Sequence, residues 1–383
     1  MGKNITVFLI ILITFQSYLF SLFPVQIFGI SIYLVLFIIS IFVLLLFNLK
    51  KLSLNHLIYY FVFIIFCLIV SYFRNSYYNY GNFFKNFING FYWYLVPIFI
   101  MLTYKVEHKS FKSVYRILFI VLIIQSILSI FFILGLPTIN LLTEEHSFVY
   151  YRYVGIMGGA NVNSNFNSLI VSILVLAPTK FKNKTKLLIL ILGIFSVIPS
   201  LSRLPLILIF GLIIYLARDF YKKNRFNKII LFFLILAMSF FIFKNNDKFN
   251  DVASINKIVS TVDSGSDQLR YAKYSHGISI LFSNFSSMLL GPPGELQVGR
   301  FVEFSDNSYI HMALELGIPM FLLFVIFVKY LINISYSIKS MESKIYIIFF
   351  LITCFLNNSI SWIPWLFIFT MGLKLICYNP KST

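Results

Sequence analysis

Residues 114–135 read VYRILFIVLIIQSILSIFFILG, a run with a single charge, Arg116, near its start. About 20 apolar residues in a helix cross the hydrocarbon core of a bilayer, so this segment has the length and composition of a transmembrane helix. Outward from it the pattern repeats along the chain. Further apolar runs fall near 5–22, 27–47, 56–73, 88–104, 161–178, 187–200, 204–217, 229–243, 307–328, 345–357 and 362–376, which predicts about twelve spans. The first run has a lysine near its start, as a signal peptide would. It lacks a small-residue cleavage site and a second span follows at once, so it reads as a helix.

Composition agrees with this reading. Of 383 residues 59% are hydrophobic, 19% aromatic and 11% charged, and the mean hydropathy is +0.88. A soluble domain carries about 25% charged residues, and a core this apolar would still need a polar skin. A soluble globular protein is therefore excluded. The expected architecture is all-α: a single polytopic helical bundle over 1–383 with one long extracytoplasmic loop at 244–306.

The formal net charge of +18 does not mark a nucleic-acid binder, because the 31 Lys and Arg are dispersed between spans and form no basic face or arm. Their distribution sets an orientation instead. With the N-terminus in the cytoplasm, twenty-one of them fall on the cytoplasmic side, and only Arg74, Lys85, Arg152 and Arg203 lie in short external segments. Both termini are thereby expected in the cytoplasm of a multi-pass protein of the cell inner or plasma membrane. The acids run the other way: nine of thirteen, among them Glu303 and Asp306, are external. Cys67, Cys354 and Cys377 sit far apart in apolar runs without CxxC spacing, and the five histidines form no paired helix motif. They support neither a redox role nor a metal site, and no cofactor is expected.

Four external or span-end segments could carry chemistry. In Tyr151–Asn167 an arginine, Arg152, and a glycine-rich turn open an Asn-dense helix containing Asn163. Such a helix start offers free N–H donors to an anion, and the same amides could equally pack helices. In Pro199–Pro205, Arg203 lies at the bilayer edge between two short apolar runs, where it either serves function or snorkels to headgroups. Within the long loop, Asp267–Tyr274 interleaves basic and aromatic residues around Arg270, ahead of Gly291-Pro292-Pro293-Gly294. This stretch could grip a sugar phosphate or rest on the membrane surface. Finally, Phe301–Pro319 opens a helix with Asp306, Asn307 and Tyr309 at its mouth, and His311 and Glu315 share one helical face. Asp306 alone could be an ordinary N-cap.

These segments, in this order, resemble the O-antigen polymerase and O-antigen ligase superfamily over roughly residues 150–330. The matching elements are Arg152 to Asn163, Ser202-Arg203, Arg270 to Gly294, and Asp306-Asn307 to Gly317. The resemblance implies a bundle like that of C-type glycosyltransferases with its cavity at the outer leaflet, and transfer of glycan from an undecaprenyl-pyrophosphate-linked oligosaccharide. It also implies work beside a chain-length regulator and a flippase in O-antigen, capsule or exopolysaccharide synthesis. Ligases of the superfamily typically carry His where this chain has Asp306, which turns the expectation toward a repeat-unit polymerase (Wzy-type), with a ligase as the alternative. Arg152, Arg203 and Arg270 would clamp the pyrophosphate through their planar forks. Asp306, then Glu303, would take the acceptor proton, although an Asp at its reference pKa of about 3.9 is a weak base unless burial raises it. Asn163, Asn307, Tyr309 and His311 would contact substrate. A lipid-linked oligosaccharide flippase is the alternative from another class. The chain lacks convincing internal repeats and carries one large asymmetric loop, which favours an enzyme. A non-catalytic scaffold of an assembly complex is the third reading.

Overall fold

A computed structural model describes residues 2–14, 26–27, 30–31, 54–79, 108–134, 160–178, 183–200, 203–223, 274–292, 308–335, 340–356 and 363–377, with single positions at 36, 39, 40, 42, 43, 46 and 83. The described residues are overwhelmingly helical. The chain forms two compact units, one from residues 1–44, 106–263 and 378–383, the other from 45–105 and 264–377.

The first unit contains α1 (Gly2–Thr14), α3 (His108–Ile133), α4 (Ala160–Leu176), α5 (Asn183–Val197) with a 3-10 turn (Ile198–Ser200), and α6 (Arg203–Lys223). Strands β1 (Gln26–Ile27) and β2 (Ile30–Ser31) pair antiparallel, Gln26 with Ser31 and Ile27 with Ile30. This ladder stands where the hydropathy reading begins its second helix. β-branched Ile favours strand as readily as helix, so an apolar run alone does not choose between them.

Side-chain bonds fix the directions of the helices. Tyr115 of α3 donates to the Leu174 carbonyl of α4 at 2.6 Å. Fourteen residues further along α3, Ser129 donates to the Ser196 carbonyl at 3.5 Å, and the same carbonyl accepts from Asn167 Nδ2 at 3.2 Å. Rising along α3 thus means descending along α4, and the two are antiparallel. Ser126 reaches Leu192 at 2.8 Å, so α3 and α5 run parallel. Gly193 lets α5 approach α4: a Cβ built there would lie 2.6 Å from Val171 Cγ2. Small residues permit such close backbones between membrane helices. The alternation of direction expected for these spans is present in α3, α4 and α5.

The second unit contains α2 (Leu54–Tyr77), α7 (274–281), α8 (Phe285–Leu290), α9 (Ser308–Leu316), α10 (Ile318–Ser335), α11 (Met341–Leu356) and α12 (Ile363–Ile376). Phe63 and Cys67 of α2 pack with Met312, Leu316, Met320 and Phe324. Phe350 of α11 stacks on Phe369 of α12 with ring centroids 3.8 Å apart. The expected span at 307–328 is two helices, broken at Gly317. That residue has φ +75°, and a Cβ there would collide with the Leu289 carbonyl oxygen. Only glycine takes this conformation at such close approach without strain, and Pro319 follows inside the first turn of α10, where its missing N–H is harmless.

Among the described residues two helices are long and apolar enough to cross a membrane, Leu57–Tyr77 and Phe111–Ile133. In α2, Leu54, Phe61, Val62, Ile65, Tyr72 and Phe73 are each more than half exposed. A soluble core helix would bury such side chains, whereas lipid is an adequate solvent for them. The short runs expected at 187–200 and 204–217 belong to longer elements, α5 with its 3-10 turn and the 21-residue α6. The expected spans at 88–104 and 229–243 lie outside the described residues, so the total of twelve is neither met nor refuted.

Candidate functional site

One end of the first unit gathers the polar groups. Because α4 is antiparallel to both α3 and α5, the N-terminus of α4 lies level with the C-terminal half of α3 and the C-terminal end of α5. The 3-10 turn at Ile198–Ser200 closes that end, and α6 starts from it at Arg203. The starts of α4 and α6 therefore share one end of the unit. Each helix start carries unsatisfied N–H groups and roughly half a positive charge, so the pair favours an anion nearby. Asn and Ser suit this place, since their side chains compete with the helical backbone and are better tolerated near termini than in mid-helix.

The side chains here are fully buried. Asn163, Ser164, Asn165, Asn167 and Ser168 of α4, Gln125, Ser126 and Ser129 of α3, and Ser196 and Ser200 at the end of α5 are all at most 2% exposed. Several serines turn back on their own helices: Ser126 to Leu122 at 2.7 Å, Ser168 to Asn165 at 2.8 Å, Ser196 to Gly193 at 2.8 Å and Ser200 to Val197 at 2.7 Å. The amides are less well served. Both polar atoms of Gln125 and of Asn163, and the carbonyl oxygens of Asn165 and Asn167, have no hydrogen-bond partner. Buried polar groups are nearly always paired, and each orphan costs about 1–3 kcal/mol; here Gln125 and Asn163 stand one turn to either side of the Ser196 carbonyl along the antiparallel α3 and α4.

Of the residues predicted from sequence, Asn163 and the backbone of Arg203 come to this end. Arg152 lies outside the described residues. Gln125 and Ser129 were not singled out by sequence reading. Their signal was there, as three polar residues at helical spacing in the apolar stretch of α3.

The second unit holds the other predicted residues. The described part of α9 begins at Ser308, directly after Asp306 and Asn307, which with Glu303 and Arg270 lie outside the described residues. Tyr309 is half-buried, and its hydroxyl donates to the Leu351 carbonyl of α11 at 2.9 Å. His311 occupies α9, one turn from Ser308. The glycine turn after the loop is held from α2: Tyr78 donates to the Gly291 carbonyl at 2.9 Å, and Tyr77 to Ser286 at 3.2 Å. Asn284 caps α8, accepting from the Ser287 N–H at 2.7 Å. Arg74, at the last turn of α2, is only 7% exposed, a buried guanidinium that sequence reading had counted merely as a topological charge. The nine residues of α9 put about 13 Å between the Gly317–Leu289 contact and the start of α9 at Ser308.

Residues 188–325 match the Wzy_C family model, described as O-antigen ligase. That match runs from α5 through α10 and includes Arg203 and the 244–306 segment. It supports the O-antigen ligase and polymerase superfamily, whose members are integral to membranes, and glycan transfer of the kind that superfamily performs. Comparison with curated proteins gave no match.

Proposed function

We propose that this chain is a repeat-unit polymerase: a membrane glycosyltransferase that moves glycan from an undecaprenyl-pyrophosphate carrier onto a second lipid-linked repeat. The observation that carries the reading is the shared end of α4 and α6. There two helix starts bearing motif residues, Asn163 and Arg203, stand beside a buried polar layer, and α6 lies within the matched segment.

In this reading the acceptor hydroxyl attacks the anomeric carbon, a C–O bond to the acceptor forms, and the bond to the pyrophosphate breaks. The carrier pyrophosphate leaves with the electron pair and gains negative charge, which Arg203, Arg152 and Arg270 stabilise as fixed cations that remain protonated. The acceptor proton passes to Asp306, with Glu303 as the second choice. A single displacement inverts the anomeric centre. The site faces the outer leaflet, where the basic residues are few and the acids concentrate. A ligase is the second reading, favoured by the description of the matched family, while Asp306 in place of His favours the polymerase.

The test is incubation of the purified chain with a lipid pyrophosphate-linked repeat unit, without added nucleotide or metal. A ladder of longer lipid-linked glycans is the expected product. Transfer only to a different acceptor would make the chain a ligase, and no transfer to either would remove the glycosyltransferase reading.

A further inference from the structure

We propose that α7, α8 and the turn between them (274–290) form an in-plane element seated in the bilayer leaflet at the C-terminal end of α2, with lipid acyl chains covering its exposed apolar flank. None of the residues assigned to glycan transfer lies on this surface, so it stands or falls apart from that activity.

The sequence already sets this stretch apart. From Tyr274 to Pro293 the chain carries no Asp, Glu, Lys or Arg, whereas residues 244–273 carry nine. Around α7, Tyr274, Gly277 and Leu281 fall on one side, Ile278 and Phe282 beside them, and Ser275, His276 and Ser279 on the far arc. Leu281 is buried against Ala313 and Leu314 of α9. That contact is narrower than the apolar arc. Ile278 and Phe282 on its flank, and Phe285 and Leu289 one turn apart on α8, are 36–70% exposed. An apolar flank next to a polar arc is the pattern of a helix lying in a membrane interface.

The depth of the element follows from α2. Tyr77, the last residue of the span Leu57–Tyr77, donates to Ser286 at 3.2 Å, and Tyr78 donates to the Gly291 carbonyl at 2.9 Å. The Leu289 carbonyl meets Gly317 at the α9–α10 break. Both ends of α8 are therefore held at the level where the span ends. Tyr77 is itself exposed and touches Ser286, next to Phe285, so the solvent that covers α2 also reaches α8.

The turn is built to do without water. The N–H and the hydroxyl of Ser283 both donate to the Ile280 carbonyl, at 3.2 and 2.7 Å, and the Ser279 hydroxyl donates to the His276 carbonyl at 2.8 Å. Asn284 Oδ1 accepts from the Ser287 N–H at 2.7 Å and from the Ser286 hydroxyl at 2.9 Å. Polar groups next to lipid need such internal partners. In the expected orientation this is the outer leaflet, and the element would hold one end of the long loop at headgroup level.

Site-directed spin labelling of the full chain tests this. Cys67 and Cys354 are buried, so Cys377→Ser gives a usable background. Nitroxides are placed at Phe282→Cys and Phe285→Cys, at Ser275→Cys and Ser279→Cys, and at Ile65→Cys on the exposed side of α2 as the lipid reference. The protein is reconstituted in phosphatidylethanolamine and phosphatidylglycerol vesicles. Power saturation then compares access of oxygen, which concentrates in the bilayer, with that of a water-soluble nickel chelate. The oxygen-to-nickel ratio at 282 and 285 should match that at 65 and exceed that at 275 and 279 severalfold. A ratio at 282 and 285 as low as at 275 and 279 would put the flank in water and overturn the proposal. Poor access of both reagents at 282 and 285 would mean that protein covers it, a second copy or another partner, which also overturns it. A low ratio at 65 as well would remove the membrane reading of α2 and this seat with it. If the two Phe variants fail to reconstitute, Ile278→Cys and Leu289→Cys carry the same comparison.

Discussion

At the scale of single residues, the chemistry rests on side chains whose type matters more than their charge or size. Arg203 starts α6 at the polar end of the first unit. Arg203→Lys keeps the charge but loses the planar fork that pairs bidentately with phosphate oxygens. Polymer formation should fall by about tenfold or more, the loss of roughly one charge-assisted hydrogen bond, while the protein stays in the membrane at normal level. Gel analysis of the polymer beside an immunoblot checks both. Asp306→Asn keeps the shape of the proposed base and removes its basicity. Polymerisation should drop by about a hundredfold or more with single-repeat products still visible, and unchanged long polymer would move the base elsewhere. The buried Asn run of α4 was legible beforehand, because its amides stand out at the start of an apolar segment. Gln125 and Arg74 were not singled out, since a lone polar residue in a span reads the same whether it faces a cavity, a neighbour or lipid. Only burial and partner geometry separate those cases.

At the scale of elements, the packing of the first unit depends on how closely α5 lies against α4. Gly193 makes that contact with Val171, and three residues further on Ser196 supplies the carbonyl shared by Ser129 and Asn167. Gly193→Leu must push the helices apart, since its Cβ alone would come within 2.6 Å of Val171 Cγ2. Overpacking of this kind costs about 1–3 kcal/mol. The variant should melt at lower temperature, because the bonds of Ser129 and Asn167 to the Ser196 carbonyl part with the helices. Thermal unfolding of the purified protein checks this, and an unchanged melting temperature would mean that the two helices accommodate the larger side chain. The elements were mostly legible in the hydrophobic pattern, as α2, α3, α4, α11 and α12 fall where apolar runs predicted them. The break at Gly317 was not, because Gly-Ile-Pro is compatible with a continuous, slightly bent span until the neighbouring Leu289 carbonyl is known.

At the scale of the whole molecule, the expectation is a multi-pass membrane protein with both termini in the cytoplasm. A reporter fused after Thr383 that is active only in the cytoplasm should therefore score, and an alkaline phosphatase fusion at the same point should stay silent. The reverse would make the number of spans odd and invert the assignment of the polar end of α4 and α6 to the outer face. Alternating directions of α3, α4 and α5 agree with an up-and-down order through this part of the chain, and the exposed apolar face of α2 agrees with lipid as its solvent.

By itself the sequence determined the solvent and the helical class and set the expected orientation, because hydropathy and the placement of lysine and arginine are additive along the chain and need no knowledge of neighbours. Tertiary structure alone decided which polar side chains are paired across helices and which are stranded without partners. Hydrogen-bond satisfaction belongs to pairs of groups brought together from different helices, and nothing in the local pattern of α3 or α4 records that Ser129 and Asn167 meet at the Ser196 carbonyl.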